Sequence, residues 1–186
     1  MIPRTLNFIG ALVFLAVPAF AQDFDLINHP GYVNLEDIKI PDEAVNVTEV
    51  SIGPELFQMI RNFSGNEAVG MPKLDGFMNI QVKTFSVNEK VARELRPRME
   101  KLEARLRREN WVPLVRVRSG EVVTNISVKY SKDSKKTHGL FIMSLDPQDE
   151  AAFVNIVGNV DMNMLRNMNL GIQGSALDSL KKAVGD

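Results

Sequence analysis

The sequence predicts a two-layer α+β domain: a mostly antiparallel sheet of about six strands, in the order β-α-β-α-β-β-β-β-α, with helices on one face. Three observations carry this. Residues 55–63 and 89–110 hold apolar side chains at helical spacing. Four successive segments between 112 and 157 alternate apolar and polar residues and are joined by short polar turns, the signature of a meander. The chain has 186 residues, 45% of them apolar and 24% charged, which suits one buried core and is too apolar for disorder. A β-α-β unit followed by a meander also allows two half-domains, each with its own sheet.

Residues 1–21 read as an address. Arg4 supplies a positive charge, residues 6–17 are uncharged and mostly apolar, and Pro18 breaks the run before Ala19-Phe20-Ala21. That is the order of a secretory signal with a small-residue cleavage site. Twelve helical residues rise about 18 Å, short of the roughly 30 Å hydrocarbon core. Cleavage before Gln22 is expected, with no stable membrane span afterwards. The expected product is a soluble bacterial protein of the periplasm or the exterior. Residues 22–44 form a lead-in, with a turn at His29-Pro30-Gly31 and a short apolar stretch at 35–40 closed by Pro41. A single α+β domain is expected over 45–186.

Val45, Val47 and Val50 to Ile52 read as the first strand, and Gly53-Pro54 opens a helix carrying Leu56, Met59, Ile60 and Phe63. In the strand 77–85, only Met78, Ile80, Val82 and Thr84 make a cleanly apolar face, so a core on one side is expected. Ser86 and Glu89 have capping-box spacing before the long helix. Its stripe of Val91, Leu95, Met99, Leu102 and Leu106 steps by 4, 4, 3 and 4, and Pro97 inside it should kink or split the helix. Beyond the meander, Asp161 and Ser175 are placed to cap helices at 162–169 and 176–184.

Composition removes several function classes. A formal net charge of −1 gives no global electrostatic reason to bind nucleic acid. With no Cys there is no disulfide framework, thiolate metal site or catalytic thiol. His29 and His138 are the only histidines, far apart in sequence and both in turns, so no zinc site is expected and both read as solvated turn residues. Asp146, Asp149 and Glu150 surround Pro147 without the alternation or the glycine of a calcium loop, and a hairpin turn accounts for them. Neither G-x-S-x-G nor G-x-G-x-x-G occurs. Ser179-Leu180-Lys181-Lys182 matches S-x-x-K formally, but its companion motifs are missing. No catalytic residue and no cofactor is expected.

Two features point to contacts. Met162, Met164 and Met168 cluster in sequence, and Met164 and Met168 are one helical turn apart so that their thioethers converge, which soft Cu(I) accepts and which core packing also explains. The long helix holds eight Lys or Arg against five Glu between 89 and 109, densest at Arg105, Arg107 and Arg108. That face suits an acidic partner, an anionic envelope polymer or lipid head groups, while a solvated face with i,i+4 pairing to its own glutamates is the favoured account.

The span from Glu49 to Met168 resembles DUF4252, a family of exported bacterial proteins defined as a domain of unknown function. The resemblance rests on V-S-I-G-P-E-L at Val50 to Leu56, on the hairpin formed by 125–130 and 140–145, and on F-V-N-I-V-G-N-V-D-M at Phe153 to Met162. It implies an envelope or exported protein, in a genomic setting of envelope-stress or sigma-factor regulation, and carries no active-site residues. The expectation is therefore an exported, soluble, non-enzymatic domain that contacts a protein partner in the cell envelope. Two alternatives are a periplasmic Cu(I)-binding protein using the three methionines and a hydrolase of an envelope polymer.

Overall fold

The computed structural model describes residues 25–64, 76–134 and 136–160. Six strands run as β1 (Val45–Ile52), β2 (Phe77–Ser86), β3 (Val112–Ser119), β4 (Val122–Tyr130), β5 (Thr137–Leu145) and β6 (Glu150–Gly158). They form one sheet in the order β1-β2-β6-β5-β4-β3, with every pair antiparallel. The chain is a two-layer α+β fold, as its periodicities predict. The half-domain alternative fails at one junction: β6 closes the meander onto β2, in register from Ser86 against Glu150 to Asn79 against Val157, with an irregularity before Phe77 meets Gly158.

Helix α1 (Pro54–Ser64) links β1 to β2, and α2 (Glu89–Arg108) carries the chain from β2 to the far edge at β3. The apolar stripe of α2 is buried as its spacing predicts, with Leu95 and Leu106 almost fully enclosed. Burial of each such side chain stabilises the fold by roughly 1.5–3 kcal/mol. The stripe packs on Phe85, Phe141, Met143, Leu145 and Phe153. The Phe85 and Phe153 rings stack at 6.2 Å, and Trp111 meets Phe141 edge-on at 6.4 Å. The opposite face carries a second cluster that includes Ile126, Leu140, Ile142, Val154 and Ile156, and α1 adds Phe57 to that side, so the described helices do not share one face as expected.

Local details differ from expectation. The cap of α2 is Asn88, whose Oδ1 accepts from the amides of Lys90 at 3.0 Å and Val91 at 2.9 Å. Ser86 instead stays in β2 and its hydroxyl accepts from Asn46. Pro97 does not split α2: it lies on the exposed side, while Leu95 and Met99 anchor the helix before and after it. The helix ends at Asn110 (φ 61°), where Trp111 N–H bonds back to the Leu106 carbonyl at 2.9 Å. Strand β2 is buried on both faces, because Asn79, Lys83 and Phe85 are covered on one side and Ile80 on the other.

Over Lys83 lies the lead-in. Residues 25–44 cross the α2 face and seat Val33, Leu35 and Ile38, with a 3₁₀ turn at Leu35–Asp37, in the same cluster as the α2 stripe. Two buried polar side chains of the sheet hold it there. Asn155 Oδ1 accepts from Val33 N–H at 2.8 Å, and its Nδ2 donates to the Gly31 and Leu140 carbonyls at 3.0 and 3.2 Å. Lys83 Nζ donates to the Leu35 carbonyl at 2.9 Å and pairs with Glu49 at 2.7 Å. Backbone approaches backbone where the lead-in passes β5: a Cβ on Gly139 would sit 2.7 Å from the Gly31 carbonyl oxygen.

Both edges are guarded against strand pairing. β1 bulges between Val45 and Thr48 with Asn46 at φ 54°, and β3 carries Pro113 beside its own irregularity.

Candidate functional site

The two flanks of α2 carry different charge. On the flank facing β3 and β4, acids and bases neutralise one another. Glu103 pairs with Arg107 at 2.6 Å and with Arg116, and it accepts from Asn125 Nδ2 at 3.3 Å. Arg96 reaches Glu121 on the turn between β3 and β4. These contacts pin the helix over the sheet.

On the flank facing the lead-in, Arg98, Lys101, Arg105 and Arg108 follow one another at steps of three and four. Arg98 donates to the Lys39 carbonyl at 2.8 Å and lies 3.7 Å from Glu94. Arg105 is held between Asp37 at 3.3 Å and Glu109 at 3.9 Å. Lys101 and Arg108, with Lys39 opposite them, make no ion pair among the described residues.

Between this flank and the lead-in lies a cavity of about 420 Å³. Its floor is apolar: Ile38, Leu95, Met99, Leu102 and Phe153. Its rim is basic, and the only carboxylate in its lining, Asp37, is already engaged by Arg105. The arrangement can hold an anion above an apolar seat.

The three arginines singled out by sequence density therefore part company. Arg105 and Arg108 line the cavity, whereas Arg107 turns to Glu103 on the other flank, and of the three only Arg108 is without an ion pair among the described residues. The three-and-four spacing of 98, 101, 105 and 108 is visible in the sequence. The contribution of Lys39 and Ile38 is not, because the lead-in has no periodicity to place it. Met162, Met164 and Met168 lie outside the described residues, as do residues 1–21 and the helices expected at 162–169 and 176–184.

The histidines correct an expectation. They are not separate solvated turn residues: the lead-in brings His29 onto β5, where its ring meets His138 edge-on at 5.5 Å. His29 Nδ1 also accepts from the Gly31 amide at 3.1 Å. Burial, and then the neighbouring charge of His138, lower the His29 pKa from its ordinary 6.5. At the other extreme, Lys90 is raised by its hydrogen bond and ion pair with Glu43, which fastens the end of the lead-in to the first turn of α2.

The acidic cluster forms the β5–β6 turn, in which Gln148 N–H bonds to Asp146 Oδ1 at 3.0 Å and Asp146 N–H to the Glu150 carbonyl at 2.9 Å. Among the described residues no group of three or more His, Asp or Glu is placed to hold a metal ion. No described helix is long and apolar enough to cross a membrane.

A family model described as a domain of unknown function matches residues 42–168. No curated protein and no solved structure matches the chain. The matched span takes in β1 to β6 with α1 and α2, and it leaves most of the lead-in before its first residue. With more than half of its length matched, this chain belongs to the DUF4252 family.

Proposed function

We propose that this chain is an exported, soluble domain without catalytic activity, acting through contact with another protein of the bacterial cell envelope in stress sensing or regulation. One observation carries the reading: among the described residues Lys39, Lys101 and Arg108 stand without ion-pair partners around an apolar-floored cavity, while the other flank of the same helix is neutralised. Unpaired cations gathered on one side add little to folding, whereas they steer and orient a partner of opposite charge. The signal-like residues 1–21 supply the compartment.

A photocrosslinking amino acid placed at position 101 in intact cells tests this. The expected result is a discrete adduct with an envelope protein, lost in the Arg108→Glu variant. Absence of any protein adduct from position 101, with the exported chain present at normal level, overturns the reading. The intact mass of that chain is expected to begin at Gln22.

A further inference from the structure

The α2 cavity also constrains what kind of segment docks there. We infer that it receives an acidic peptide segment bearing one apolar anchor side chain, contributed by the partner protein. This inference rests on the protein-contact reading above and adds the chemistry of the contact.

The floor sets the apolar half. Leu95 and Phe153 are fully enclosed and Ile38, Met99 and Leu102 are each at most 9% exposed, so the floor offers a seat and not a track. An acyl chain needs a long apolar channel to lie along, whereas one branched or aromatic side chain needs a seat. The volume of about 420 Å³ falls toward the small end of ligand cavities. Met99, with its flexible thioether, lets the seat adjust to the anchor's shape.

The rim sets the charged half. Lys101 and Arg108 are seven residues apart on α2, about 10 Å along the axis. Three residues of extended chain span about the same distance. Carboxylates three residues apart therefore have the reach to meet the two cations, in a segment turned so that both face α2 and the anchor between them sits over the floor. Lys39 closes the third side from the lead-in. The acids nearby, Asp37 and Glu109, both lie on Arg105 and outweigh its single charge, yet with Lys39, Lys101 and Arg108 the rim stays net positive.

Fluorescence anisotropy with the exported chain and a labelled peptide, GSELSEGS, tests the inference. Saturable binding is expected. It should weaken by about tenfold or more when the peptide leucine becomes serine, and as much in a Lys101→Glu/Arg108→Glu double variant. Arg93→Glu reverses a charge on an exposed part of α2 away from the cavity and should leave binding within about twofold. Equal binding of the leucine and serine peptides overturns the seat, and an equal loss in Arg93→Glu overturns the location. Tighter association with anionic phosphatidylglycerol vesicles than with the peptide replaces the protein segment by a membrane and overturns the inference. If the peptide fails while crosslinking from position 101 still captures a protein, the contact stands and its proposed chemistry falls.

Discussion

Asn155 and the two histidines show how single residues fix the path of the lead-in. Asn155 is fully buried in the centre of the sheet, where a polar side chain is costly unless satisfied, and three hydrogen bonds satisfy it. His29 and His138 meet a few residues away along the same strap. Because folding lowers the His29 pKa, the unfolded chain binds that proton more tightly than the native state does. The stability tied to neutral His29 is complete above about pH 6.5 and is lost as the pH falls through the lowered folded value. We therefore expect the melting temperature to fall between about pH 7.5 and about pH 5, and to fall less in His29→Gln. Thermal melts followed by circular dichroism at the two pH values check this, and equal slopes in the two proteins would contradict it. The sequence shows the residue types here, but not that positions 29 and 138 touch, since no local pattern encodes a contact across more than a hundred residues.

At the scale of an element, α2 was largely legible. Its buried stripe, its length and its basic excess all follow from residues in order, because helical geometry turns spacing into a face. Its start was not. Ser86-x-x-Glu89 and Asn88 are both capping patterns, and the choice fell to Asn88 because Ser86 is drawn into β2 opposite Glu150. Pro97 sits in the helix interior at a cost, since it has no N–H to give the Arg93 carbonyl. As it is exposed and the residues around it are anchored by packing, Pro97→Ala should stabilise the protein by about 1–3 kcal/mol. Urea unfolding measures this, and a destabilised variant would mean that Pro97 shapes the helix for the cavity beside it. The candidate site divides in the same way. Arg98, Lys101, Arg105 and Arg108 can be placed on one flank from their numbers alone, but which of them is neutralised depends on where the lead-in sets Asp37 and on which neighbouring glutamate each meets.

For the whole molecule, the consequence is that the lead-in belongs to the folded body. It contributes Val33, Leu35 and Ile38 to the core and satisfies Asn155 and Lys83. Three buried apolar side chains at roughly 1.5–3 kcal/mol each match a large part of the total stability of a typical domain, about 5–15 kcal/mol. A chain lacking residues 22–41 should therefore lose its cooperative melting transition and bind the dye ANS through uncovered sheet, whereas a detachable tail would leave the transition unchanged. The same deletion removes Ile38 and Lys39, and with them one wall of the cavity.

From its residue order alone, this chain determined the strands β1 to β6, the helices α1 and α2, the stripe that α2 buries and the family it belongs to, because periodicity and turn chemistry are local. Only the tertiary structure decided that β6 closes on β2, that the lead-in covers a polar stretch of the sheet, and which cations remain unpaired. Those outcomes depend on long-range contacts, where a buried amide or ammonium is tolerated only if a distant segment arrives to bond it.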